Sequence, residues 1–108
     1  MNYQELLSYV DVLASQTIQD LDKHSGYICD SVMTQIDGFE YITNYEKAQD
    51  FVSAVKSQDS ELYSEAKEML EDCKVGNESP EELISLMAHW ILYTIVGDRA
   101  EELLNKAA

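Results

Sequence analysis

Two histidines, two cysteines and twenty-one carboxylates are the groups through which this 108-residue chain could do chemistry. The carboxylates are the patterned ones. Between Asp59 and Glu82 stand nine of them (Asp59, Glu61, Glu65, Glu68, Glu71, Asp72, Glu78, Glu81 and Glu82) against Lys67 and Lys74, a net −7 in 24 residues and half of the chain's formal −14. Glu61, Glu65, Glu68 and Asp72 follow steps of four, three and four. On a helix that spacing lines them along one ridge, with Leu62, Ala66, Met69 and Cys73 on the opposing side. One helical turn advances about 5.4 Å and phosphates of one DNA strand advance about 3.4 Å per step. A ridge of carboxylates at one-turn spacing therefore roughly matches every second phosphate.

Such a ridge is costly. Like charges one turn apart destabilise a helix by about 0.2–0.5 kcal/mol per pair, and the excess charge repels itself across the whole domain. A solubilising surface needs a net charge of only about 2–8, which −14 exceeds. Asp59, Glu61, Glu65, Glu68, Glu71, Asp72, Glu78 and Glu81 are accordingly expected to form a partner-binding acidic surface. The competing reading is a solvated face with no partner.

The remaining reactive groups lack a setting. His24 lies in a turn beside Asp20, the ordinary place of a solvated histidine at a helix end. His89 sits on an apolar stretch next to Trp90, as a hydrogen-bonded core or interface histidine would. Neither has a nucleophile at a characteristic spacing, and neither has a Glu three residues before it, so zinc-hydrolase and di-iron helix patterns are absent. No glycine-rich phosphate cradle occurs. Asp20-x-Asp22-x-His24-x-Gly26 has the opening of a calcium loop but lacks the glycine at its sixth position and the glutamate at its twelfth. Cys29 and Cys73 form no CxxC pair and are expected as buried, reduced thiols. No catalytic residue, no metal ligand and no cofactor is expected, and the chain is not read as an enzyme.

The charge also limits partners. A chain this acidic repels phosphates, which excludes direct nucleic-acid binding, and it disfavours anionic membrane surfaces. Met1-Asn2-Tyr3-Gln4 shows no basic stretch leading into an apolar run, so no signal or transit peptide is expected. Leu86 to Val96, the longest mostly apolar segment, is about half the ~20 residues needed to span a bilayer. The expected setting is the cytoplasm of a bacterial host cell.

The elements that must position the carboxylates are helical. Hydrophobic residues make up 45% of the chain, with one Pro and four Gly, which suits a packed helical core rather than an acidic tail. Tyr3, Leu7, Val10, Ala14, Thr17 and Leu21 predict an amphipathic helix over about 2–23, its stripe widened by Leu6, Leu13 and Ile18. His24-Ser25-Gly26 ends it. Ile28, Cys29, Val32, Met33 and Ile36 predict a second helix, stopped at Asp37-Gly38. A third starts near Glu40 and aligns Ile42, Tyr45, Ala48 or Gln49, Val52 and Val55, with Tyr41 and Phe51 beside that stripe; Phe39-Glu40-Tyr41-Ile42-Thr43 also alternates as a short strand would, but the continuation favours helix. Asp59 is read as the N-cap of the ridge helix. Ser79-Pro80-Glu81-Glu82 is a capping box with Pro at the first helical position. The helix it starts is apolar nearly all round from Leu83 to about Val96, with Trp90 expected to anchor the core. Gly97-Asp98 is expected to end it, and Asp98-x-x-Glu101 to cap a last short helix. The expected fold is all-α: a compact single domain over 1–108, with five or six short helices around the apolar helix at about 80–96.

Two stretches carry a resemblance. Thr94-Ile95, followed by Ala100-Glu101-Glu102-Leu103-Leu104-Asn105, resembles the end of the Ocr-like DNA-mimic proteins of phages. Ile36-Asp37-Gly38-Phe39-Glu40-Tyr41-Ile42, with Tyr45, Ala48, Ser57 and Asp59, is similar to small acidic proteins of phages and mobile elements that share a V-D-G-x-E-W-V-I-Y core. This chain has Ile and Tyr where that core has Val and Trp. The resemblance implies a counter-defence role. It assigns no residue a role, because mimicry works through a surface and not a motif.

The expected function is therefore a phage or mobile-element inhibitor of a host defence system, of restriction or CRISPR type. Its acidic surface would imitate DNA and block the basic groove of a host defence protein or nuclease complex. The alternative is an acidic helical adaptor or antitoxin-like partner, using Tyr41, Tyr45, Phe51 and Tyr63 as an apolar groove. Pairing of the apolar 83–96 helix into a symmetric homodimer is the accompanying expectation.

Overall fold

In the computed structural model, residues 3–37, 39–73 and 76–107 are described, with the side chains of Glu40, Tyr41, Cys73 and Ala107 outside that description. The described residues are helical and include no strand. In chain order they form α1 (Tyr3–Gln19), a 3₁₀ turn (Leu21–His24), α2 (Ile28–Ile36), α3 (Glu40–Thr43), α4 (Tyr45–Gln58), α5 (Ser60–Cys73) and α6 (Pro80–Ala107). The all-α reading holds. Backbone contacts group the chain into two compact units, residues 1–3 with 38–91, and residues 4–37 with 92–108. Helix α6 contributes its first part to the former and its second part to the latter.

The unit containing 4–37 is built on α1, α2 and the second part of α6. Leu6, Val10, Ala14 and Thr17 recur every three or four residues along α1 and are buried, so the stripe runs through Leu6 and leaves the expected Leu7 partly exposed. The helix stops at Gln19, short of the expected Lys23, because the chain tightens into the 3₁₀ turn and then takes left-handed backbone at Ser25 (φ 57°) and Gly26 (φ 81°). Gly tolerates that conformation freely and Ser does not. Helix α2 buries Ser31, Val32 and Ile36. The two buried hydroxyls of this unit are both satisfied: Ser31 Oγ donates to the Thr17 carbonyl at 2.7 Å, and Thr17 Oγ1 donates to the Leu13 carbonyl at 2.8 Å. The first of these bonds ties α2 to α1. A polar pair of this kind is safe in a core only because each group has a partner.

In the unit containing 38–91, α3 packs on α4 and α4 on α5. The expected third helix is two, because Asn44 takes extended backbone and its side chain accepts the Lys47 amide, opening α4 as an N-cap. Ala48, Phe51, Val52 and Val55 are buried along α4. Phe51, read from sequence as lying beside the stripe, is the largest fully buried side chain among the described residues. Trp90, expected as the core anchor, is only half-buried. Ser85 Oγ donates to the Ile42 carbonyl at 3.0 Å and so secures the short α3 against α6.

The last helix differs most from expectation. Ser79 Oγ accepts the Glu82 amide at 3.2 Å, and Pro80 is the first helical residue, as the capping box requires. The helix then runs for 28 residues, through Gly97-Asp98, with no second short helix. Its buried positions step by four from Ala88 through Leu92 and Val96 to Ala100. Each such step turns the buried stripe by about 40°. A stripe that rotates in this way makes a helix read as apolar all round although only one side is buried at each level.

Candidate functional site

The ridge helix begins where Asp59 ends α4. The Asp59 backbone amide donates to the Val55 carbonyl, and its Oδ1 accepts the Leu62 amide at 3.1 Å, so one residue closes α4 and caps α5. Helix α5 then holds Leu62 and Ala66 in the core, while Met69 stays partly exposed. Glu61, Glu65, Glu68 and Asp72 are all exposed. At 100° per residue they fall within a sector of about 60° and span about 16 Å of helix. None of the four has an ion pair with a described residue.

The helix spends stability to keep them. Glu61 lies in the first turn, where the helix dipole favours a carboxylate, but Glu71 and Asp72 lie in the last turn, which holds no basic residue. Three neighbouring pairs on the ridge repel, which adds about 1 kcal/mol of strain in all.

The other expected site residues divide. All eight belong to the unit of residues 38–91, but only the ridge four share one narrow face. Glu71 is exposed on the same helix, to one side of the ridge, and has a partner of its own. Asp59 is half-buried and occupied as a cap. Glu78 lies in the loop before α6, half-buried, with its Oε2 accepting the Gly76 amide at 3.0 Å. Glu81 is exposed in the first turn of α6. Asp59 and Glu78 thus serve local structure, whereas the ridge four and Glu81 point charge into solvent.

The calcium-loop fragment is tied up locally: Gln35 Nε2 donates to Asp20 Oδ2 at 2.8 Å and Lys23 lies 3.4 Å from Asp20 Oδ1. The Gln35 bond first, with Lys23 and His24 assisting, holds the Asp20 carboxyl below the ordinary Asp range. Among the described residues no group of three potential metal ligands occurs. Cys29, expected as a buried thiol, is exposed, because the buried face of α2 passes through Ser31, Val32 and Ile36. Cys73 lies outside the described side chains. His89 is half-buried, with a partner.

The apolar groove expected for an adaptor loses one of its four members, since Phe51 is fully buried. Tyr63 is half-buried beneath Lys56, whose ammonium sits 5.3 Å from the ring centroid. Tyr45 is partly exposed, and the Tyr41 side chain lies outside the description. Among the described residues no helix is long and apolar enough to cross a membrane. No family model, no curated protein and no solved structure matches the chain.

Proposed function

We propose that the chain is a non-enzymatic inhibitor whose α5 ridge occupies a basic, nucleic-acid-binding groove on a host defence protein. The observation that supports this reading is the line of Glu61, Glu65, Glu68 and Asp72, exposed and without ion pairs to described residues. A helix that served only to cover Leu62 and Ala66 would gain stability from lysines at some of these positions, by i,i+4 pairing with the carboxylates that remain and, at Asp72 in the last turn, by a better match to its dipole. The uncompensated carboxylates make sense as half of an interface. The partner supplies Lys and Arg already spaced for phosphates, long-range attraction speeds encounter, and charge-assisted bonds hold the complex. Nucleic acid and inhibitor then compete for one groove. Restriction and CRISPR-type nucleases are the target classes with such grooves.

The adaptor reading keeps a narrower footing. In the other unit Val12 is 60% and Tyr27 62% exposed, apolar surface that an adaptor would use. Affinity capture from bacterial lysate, with and without added duplex DNA, separates the two. Capture of a basic protein that DNA prevents supports mimicry; capture indifferent to DNA and to salt contradicts it and favours the adaptor.

A further inference from the structure

We propose that residues Asp98–Ala107, the last part of α6, form a strap that opens as one piece by unwinding at Gly97, without unfolding of the rest of the chain. The inference is independent of the function proposed above and rests on three features of this one helix.

The junction carries signals that oppose the structure around it. Gly97 is a residue that commonly follows a helix end, and Asp98 with Glu101 three residues on has the pattern of a helix start. The helix nonetheless continues through all of them. Glycine inside a helix is less favourable than alanine, and here no contact demands it: a Cβ added at Gly97 would meet no heavy atom within 4 Å. The position is a weak point with no steric reason to be one.

Beyond that point the helix is held by little. From Met87 to Val96 it buries Met87, Ala88, Ile91, Leu92 and Val96. From Asp98 onward, Ala100 is the one fully buried side chain among the described residues, Leu103 is half-buried, and Leu104, Asn105 and Lys106 are exposed. Local opening is easiest where few buried apolar contacts must break, and the change falls at Gly97.

The polar contacts are arranged in the same way. Arg99 Nε donates to Asp11 Oδ1 at 2.8 Å, linking the strap to α1 through a pair that is largely exposed. The pairs of Glu102 with Arg99 (3.1 Å) and with Lys106 (3.6 Å) lie inside the strap. They anchor it to nothing else, and a ten-residue segment detached at Gly97 is too short to stay helical in water, so its amides exchange once it has opened. Opening therefore costs one surface ion pair, a buried methyl and part of a leucine, and it bares Ala100 and the covered part of Leu103, beside the already exposed Leu104.

Hydrogen exchange on the 108-residue chain, resolved by residue, tests the strap. Amides of 101–106 are expected to exchange at least about tenfold faster than those of 91–96, with a step near Gly97 and little sensitivity to mild denaturant. In Gly97→Ala the whole set slows together by about fivefold, the helix preference of alanine expressed as an equilibrium constant. In Asp11→Asn it speeds up by about twofold to threefold. If the end of α6 merely frays, protection declines smoothly towards Ala107, and amides 103–106 keep their rates in Gly97→Ala. That pattern, or protection across 101–106 equal to that across 91–96, overturns the proposal.

Discussion

Asp59→Ala removes the oxygen that accepts the Leu62 amide at 3.1 Å, and with it the cap of the ridge helix. Loss of an Asp N-cap costs about 1 kcal/mol, within a range of about 0.5–2. Relief of repulsion against Glu61 and the rest of the acidic segment returns a few tenths at most. A net cost near 1 kcal/mol, divided by an unfolding entropy of about 0.2 kcal/mol/K for a domain of this length, lowers Tm by about 4–5 °C. Asp59→Asn separates cap from charge. The amide oxygen still accepts the Leu62 N–H and Asn is an equally good cap, so Tm should stay within about 1–2 °C of the parent. Melts followed by far-ultraviolet circular dichroism measure both. A second readout comes from Tyr3, whose phenol is pushed up first by burial and then by the nearby Asp59 carboxylate. Both variants should bring its spectroscopic titration down by the same amount, since both remove that charge. The reasoning is refuted if Asn destabilises as much as Ala, which would make the charge and not the cap the source of stability.

Further outcomes follow from the same structure. Stability should rise between about 20 and 300 mM NaCl, because screening relieves the repulsion of a net −14 more than it weakens exposed pairs such as Lys23–Asp20 and Arg99–Asp11; a lower Tm at high salt contradicts this. Asp20 and Glu102 are held below their ordinary ranges, by the Gln35 bond and the Arg99 bond respectively, so their contribution is present above about pH 4 and is lost as pH falls through their folded values. Urea midpoints of the parent and of Asp20→Asn should therefore differ at pH 7 and draw together as pH is lowered below the ordinary Asp range; a constant gap refutes the assignment. Phe51→Ala should cost about 3–5 kcal/mol, the usual loss for a fully buried phenylalanine, and shift the urea midpoint accordingly. A loss below about 1 kcal/mol would show that Phe51 does not anchor its unit.

Periodicity located most of the helices because each buries one stripe, as α1, α2 and α4 do. It failed where side chains and not patterns decide. Asn44 reads as an ordinary polar helix residue until its side chain is seen to take the Lys47 amide and start α4 anew. Gly97-Asp98 reads as a stop, yet packing on both sides, at Val96 and Ala100, carries the helix across it. Cys29 looked buried because free thiols usually are, while the buried face of α2 turned instead through Ser31, whose bond to the Thr17 carbonyl has no signal in sequence spacing. The grouping into two units, with α6 common to both, was hidden for a related reason: a rotating stripe erases the amphipathic contrast that would reveal it. The candidate site was more legible. Steps of four, three and four fix a ridge on any helix, and the exposure of Glu61, Glu65, Glu68 and Asp72 followed from Leu62 and Ala66 facing inward. The capping role of Asp59 was legible too, but spacing could not tell that Glu78 is taken up by the Gly76 amide.

The most direct test of mimicry neutralises the ridge without removing its helix. Glu61, Glu65 and Glu68 are changed to Gln and Asp72 to Asn, and parent and variant are titrated against the DNA-displaceable partner at several salt concentrations. The fold should survive, gaining about 1 kcal/mol from lost repulsion. Each charge-assisted contact is worth about 1.5–3 kcal/mol when well formed and less than ~1 at a solvated rim, so a conservative total near 3 kcal/mol weakens binding by about a hundredfold. Parent binding should also fall steeply with salt, and the variant's much less. Unchanged affinity in the variant, with an intact circular-dichroism spectrum, would contradict the proposal and leave the ridge a solvated face.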